Sequence, residues 1–365
     1  MPTMPRTAGY RPWLDGLRGV AVLLVVAEHV GQVGSLRVPE GLGEVGVGIF
    51  FGLSGYLITG LLVDERTAAG RVSLRRFYVR RVARLLPALL VMLTLCNLAY
   101  LALGRHGILR GSLYALSYVA NYATILSGNY VPGYGQTWSL AVEEHFYLVW
   151  PLALVAVLGR GRGQDLHRLL RWTLVACGVA LAWRCFLVLG TTAPDLLMYH
   201  GSLERADALL YGCAAALAVR TGWRPGRWLG WCGAVILCVV VLLTDHGPFG
   251  MTLVQAAIGV ASAALAVSLD HHTGSQRRVL SARPLVWFGL VSYGIYLWHW
   301  PLLSMARTVG ADTTLGALVV GFAITPAVAA LSYYLVERPA RVAIRRRAEA
   351  ALAASDPGVR AGSTR

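Results

Sequence analysis

The chain has 365 residues, 56% of them hydrophobic and only 14% charged, and a formal net charge of +15. With a mean hydropathy of +0.57 it is too apolar for an ordinary soluble domain, and the composition predicts a polytopic helical membrane protein in a lipid bilayer. All 33 basic residues are arginine and they collect between apolar runs, the pattern of cytoplasmic membrane-protein loops, which argues against nucleic acid as a partner.

In chain order, apolar segments long enough to span lie near 13–32, 44–63, 82–103, 136–158, 169–189, 204–220, 228–244, 251–269, 285–307 and 315–337. They predict an all-α bundle of ten transmembrane helices forming one domain over residues 1–347. Asp15, Arg18 and Glu28 interrupt the first run, so it is expected to be kept as a helix, not cleaved as a signal. Residues 112–126 make too short a run to span and are expected to be re-entrant or interfacial, with Tyr114, Tyr118 and Asn121 or Tyr122 on one face. If they spanned, every later loop would change sides. Without that, the arginines of 66–84, 160–171, 220–227, 277–283 and 338–347 share one side with both termini, which predicts a multi-pass protein of the cell membrane with both ends cytoplasmic. The tail over 348–365 is expected to be disordered. The six cysteines fall in apolar runs without CxxC spacing and are expected to be buried hydrophobes; His271 and His272 lie adjacent in a loop, HExxH is absent, and no metal site is expected.

The first helix carries the most informative pair. Arg18 and His29 are eleven positions apart, about three turns and roughly 16 Å, so both face one way and His29 falls near the middle of the bilayer. An ionisable group there is costly and is a functional candidate by default. The plain alternative is a surface arginine and a core histidine, with Asp15 and Arg18 a helix-start charge pair. Ser54, in GLSG of the second segment, lacks the GxSxG elbow and is assigned to helix packing. In LRRFYVRRVARLLP, Arg76, Arg80 and Arg84 recur every four residues, with Arg81 beside them. That face suits a polyanion such as the phosphates of a nucleotide-bearing substrate, or equally lipid headgroups.

Glu143 and Glu144 open the fourth segment, TWSLAVEEHFYLVWP, where carboxylates are costly; one is expected to orient a histidine or hold an acceptor hydroxyl, with an interfacial pair as the plain alternative. Trp138, His145, Phe146, Tyr147 and Trp150 read as an interfacial belt. Asp207 is a candidate acceptor contact, or simply the partner of Arg205. His299, between Trp298 and Trp300, reads as a belt residue, with coordination to Glu143 the sharper option.

These motifs in order, DGLRG with ten residues between its arginine and a histidine, GVGIFFGLSGYLIT, RRVARLLP, TWSLAVEEHFYLVWP, ERADALLYG, SYGIYLWHWP and YLVERP, resemble the acyltransferase 3 family of integral membrane O-acyltransferases. The resemblance runs from about 11 to 339. It implies ten spanning helices, acyl-CoA as a co-substrate entering from the cytoplasm with no permanently bound cofactor, and transfer of a short acyl group to a hydroxyl, usually of a sugar. It places the family's arginine and histidine at Arg18 and His29 and its glutamate at Glu143 in preference to Glu144. The chain departs from the family's GVDLFF at Gly46, Val47 and Gly48, and Glu44 is a candidate substitute. No esterase-like domain follows, so the chemistry is expected within the bundle.

The expected mechanism has His29 as base and catalytic residue with Glu143, cofactor phosphates on Arg18, Arg76, Arg80, Arg81 and Arg84, and acceptor contacts from Asp15, Glu144 and Asp207. An acyl-histidine intermediate is the mechanistic alternative. The acceptor is expected to be a sugar, a glycoconjugate or a macrolide-type metabolite. The rival classes are a proton-coupled transporter of acyl groups or glycolipids, with His29 and Glu143 as its relay, and a non-catalytic membrane partner.

Overall fold

The computed structural model describes residues 10–158, 165–190, 195–242 and 247–344; the tail expected to be disordered lies outside them. The described residues are helical and contain no strand. Among the described residues, seven helices are long and apolar enough to cross a membrane: α1 (Pro12–Gly34), α2 (Leu42–Ala69), α3 (Leu74–Ala102), α6 (Thr137–Leu158), α7 (Asp165–Gly190), α11 (Gly247–His271, from Gly250) and α15 (Thr314–Ile344). The other three expected spans are present in shorter form. α9 (Ala206–Arg220) and α10 (Trp228–Leu242) have 15 residues each, and the ninth span is broken at Val291 into α13 (Arg283–Leu290) and α14 (Ser292–Thr308).

Local chemistry explains the ends. Pro12 opens α1 where its missing N–H costs nothing, and Ser35 closes it in the left-handed conformation with its N–H on the Gly31 carbonyl. Ser73 caps α3 by accepting from the Arg76 N–H at 3.3 Å. The segment expected to be re-entrant consists of two short helices, α4 (Ile108–Leu116) and α5 (Ala120–Ser127), with Tyr118 between them at φ 54°. That break removes the single tyrosine face the spacing suggested. Asn121 instead turns inward, fully buried, and donates to the His200 carbonyl and to Ser202.

Small residues set the crossings that matter for the site. A Cβ on Gly289 of α13 would stand 1.8 Å from the Asp15 carbonyl oxygen, and one on Gly19 would stand 2.2 Å from that of Leu285. α1 and α13 therefore touch backbone to backbone beside Arg18, a contact that only glycine permits. α2 and α9 meet the same way through Gly55 and Gly212. α7 turns Leu174, Val175, Val179 and Phe186 outward, as lipid-facing helices do. Three cysteines are buried as expected, but Cys232 and Cys238 are exposed on α10. They sit on an outward apolar face, which their flanking sequence could not distinguish from a core.

Candidate active site

α1, α2, α3, α6 and α14 enclose a cavity with about 790 Å³ of atom-free space, its open mouth included. Arg18, Arg81 and Arg84 line it, with Glu143 and Tyr147 from α6; α2 supplies an apolar wall that includes Phe50, Leu53 and Leu57. The lining residues of α6, Ser139, Glu143 and Tyr147, stand on successive turns, so the cavity runs about 12 Å along that helix. At one end Arg81 stacks over the Tyr147 ring, 3.2 Å from its centroid. At the other, the Ser139 and Tyr296 hydroxyls share a 2.6 Å hydrogen bond, and Tyr296 donates to the Gln136 carbonyl at 2.9 Å.

The arginines divide by their partners. Arg81 is held by Glu144 at 3.0 Å and Glu143 at 3.8 Å. Arg18 has Asp15 at 3.5 Å, one turn earlier on its own helix. Arg84 makes no hydrogen bond or ion pair among the described residues; it lies within the electrostatic reach of Arg18, Arg81 and Arg341 and, without contact, of the Glu143 and Glu337 carboxylates. A guanidinium that lines a cavity with no carboxylate in contact is available to an anion. Arg76 and Arg80 are not part of this site. Both point to Glu65 at 3.7 Å and are nearly half exposed, which corrects the expectation of one continuous arginine face. The four-residue period is real, but α3 turns only its inner end toward the cavity.

Other expected contacts are corrected as well. Ser54, read as packing, lines the cavity and donates to Glu143 at 2.7 Å. Glu143 thus bonds Ser54 and Arg81, and no hydrogen bond joins it to His29 among the described residues. Glu144 bonds Arg81 and is outside the lining, as is Asp15, so neither is positioned by this cavity as an acceptor contact. Asp207 is 1% exposed and pairs with Arg184, which also donates to Gln255 at 2.8 Å. Arg205 pairs with Glu44 at 3.0 Å, so the local Arg205–Asp207 pair does not form and Glu44 is committed. The presumed belt residues Trp138, Tyr147 and Trp150 are buried in the bundle, and Trp150 donates to Thr59.

His29 is not among the residues that line the cavity. Its Nδ1 donates to the Val25 carbonyl at 2.8 Å, because a carbonyl can only accept. In the neutral ring Nε2 then carries the lone pair. His29 packs against His299 and Trp300, each with ring centroids 5.0 Å away. His299 is fully buried; it is neither a belt residue nor a partner of Glu143. Trp300, next in sequence and half-buried, packs on His29 as His299 does.

Against known proteins, residues 11–337 match the acyltransferase domain family Acyl_transf_3. The peptidoglycan O-acetyltransferase OatA of Listeria monocytogenes is 32% identical over 360 residues, covering 91% of this chain and 56% of the relative. A Bacillus subtilis protein named "Putative peptidoglycan O-acetyltransferase YrhL" is 32% identical over 359 residues, with 91% and 55% coverage. No solved structure matches. The chain belongs to the acyltransferase 3 family, and among its described residues seven helices are long and apolar enough to cross a membrane. It spans a little over half the length of these curated relatives.

Proposed function

We propose that the protein moves a short acyl group from acyl-CoA to a sugar hydroxyl, with His29 as the base. The observation that carries this is the cavity itself. It joins an unpaired guanidinium at Arg84, beside Arg18, to an apolar wall and reaches Tyr296, whose ring packs on His299, which in turn packs on His29. Phosphates of the donor suit the arginine end, and an acyl chain suits the wall. Both chain termini then lie on the cytoplasmic side, a placement the arginine distribution supports.

His29 Nε2 takes the hydroxyl proton as the oxygen attacks the thioester carbonyl. The C–O bond forms, the C–S bond breaks, and the proton is delivered to the departing thiolate. Glu143 holds Ser54 and Arg81 in place along the cavity wall. A peptidoglycan-type sugar leads the list of acceptors, because the relatives carry that substrate in their names; a macrolide-type glycoside is the alternative.

The test is CoA release by purified protein in detergent. Acyl-CoAs of two to five carbons are combined with a soluble peptidoglycan disaccharide and with macrolide glycosides, beside His29→Ala. Acceptor-dependent release abolished by the substitution supports the assignment. Release that survives in folded His29→Ala overturns the role of His29. A wild type inert on the whole panel, but able to drive pH-dependent uptake of acyl groups, would favour the transporter.

A further inference from the structure

His299 is buried to 0% exposure on α14, and its Nδ1 donates to the Tyr296 carbonyl at 2.8 Å and the Ile295 carbonyl at 3.2 Å. Nε2 is therefore the acceptor nitrogen of the neutral ring, and that atom has no hydrogen-bond partner among the described residues. An unmade hydrogen bond in the interior is a cost that phenylalanine or leucine at the same place would avoid. The position of the ring suggests what the lone pair serves. One side touches His29, centroid to centroid 5.0 Å, and another touches Tyr296 at 5.4 Å, which lines the cavity. His299 thus fills the gap between the base and the space assigned to the donor. The two imidazoles are anchored alike, each by Nδ1 on a carbonyl of the preceding turn, leaving both Nε2 atoms uncommitted.

We propose that His299 is a second proton carrier of the transfer reaction. The proton that His29 removes from the acceptor hydroxyl passes to Nε2 of His299, and from there to the thiolate released on the cavity side. One O–H and one C–S bond break, one C–O and one S–H bond form, and both histidines end neutral. This rests on the assignment of His29 as base.

The experiment compares wild type, His29→Ala, His299→Phe and His299→Gly in the CoA-release assay, with acetyl-CoA as donor probe and the peptidoglycan disaccharide or whichever panel acceptor is used. His299→Phe should keep the wild-type melting temperature and a donor KM within about twofold, while kcat falls about 100-fold or more, the range of a positioned proton-transfer group. Added imidazole should restore His299→Gly by about tenfold or more, a recovery that a purely structural residue would not show. If His299→Phe misfolds, imidazole rescue of His299→Gly decides alone: rescue supports the proposal and its absence overturns it. Near-normal kcat in folded His299→Phe also overturns it. Loss in His29→Ala with retention in His299→Phe removes only the second carrier; retention in His29→Ala, or a wild type inert on every combination, removes both assignments.

Discussion

The Ser54 hydroxyl of α2 donates to the Glu143 carboxylate of α6 at 2.7 Å, inside the cavity that Arg81 and Arg84 share. Hydrogen bonds to a charged group contribute about 1.5–3 kcal/mol, and removing the donor leaves the carboxylate with Arg81 alone at 3.8 Å. Ser54→Ala should therefore lose about that much stability in detergent unfolding. Glu143→Gln keeps an acceptor for Ser54 and should unfold closer to wild type, while losing CoA release.

Arg84 and Arg76 differ in what they face, and kinetics should separate them. Arg84→Ala should raise the KM for acetyl-CoA about tenfold or more, because a charge-assisted contact to phosphate is lost. Arg76→Ala and Arg80→Ala, tied to Glu65 and half exposed, should stay within about twofold, as surface pairs do. Equal effects at all three positions would return the phosphate site to the outer arginine face.

Asp207 balances the fully buried Arg184. Asp207→Ala strands that guanidinium and should cost about 3–5 kcal/mol, whereas replacing both partners with apolar residues should recover most of it. Thermal unfolding of the single and double variants measures this. A fully stable Asp207→Ala with a raised acceptor KM would instead restore the role in acceptor binding.

Gly289 tests how rigidly α1 is held. A Cβ there meets the Asp15 carbonyl oxygen at 1.8 Å, so Gly289→Ala must push α1 from α13 and should cost about 1–3 kcal/mol. The same displacement moves Arg18, and the donor KM should rise with the loss of stability. Gly178→Ala on α7, where nothing lies within 4 Å, should be neutral or stabilising by up to about 1 kcal/mol.

His200 ends the short connector helix α8 (Asp195–His200), outside the spanning helices. Burial lowers it from 6.5 to about 4, and the nearby Arg205 adds to the effect. Its folded value is below its unfolded one, so the unfolded chain binds the proton first. Stability is complete above about pH 6.5 and falls as the pH drops toward 4, by about 3 kcal/mol in all. His200→Phe should flatten that acid limb in pH-dependent melting curves.

How much was legible beforehand follows from how local each signal was. Hydropathy runs, proline and glycine punctuation and the arginine clusters act within one helix, so the order of the helices and the short 112–126 segment could be read directly. The partners of the charges could not. Arg81 and Glu144 are 63 residues apart in the chain, Ser54 and Glu143 are 89 apart, and several carboxylates stand within plausible reach of each arginine until the helices are packed. Nor does a sequence say whether a tryptophan-flanked histidine faces a lipid interface or another imidazole. The sequence by itself determined the class of protein and the order of its helices. Only the tertiary structure decided which arginine stays unpaired, that Ser54 serves Glu143, and that His299 touches His29, because close-packed side chains from distant helices, not neighbours in the chain, neutralise or expose each charge.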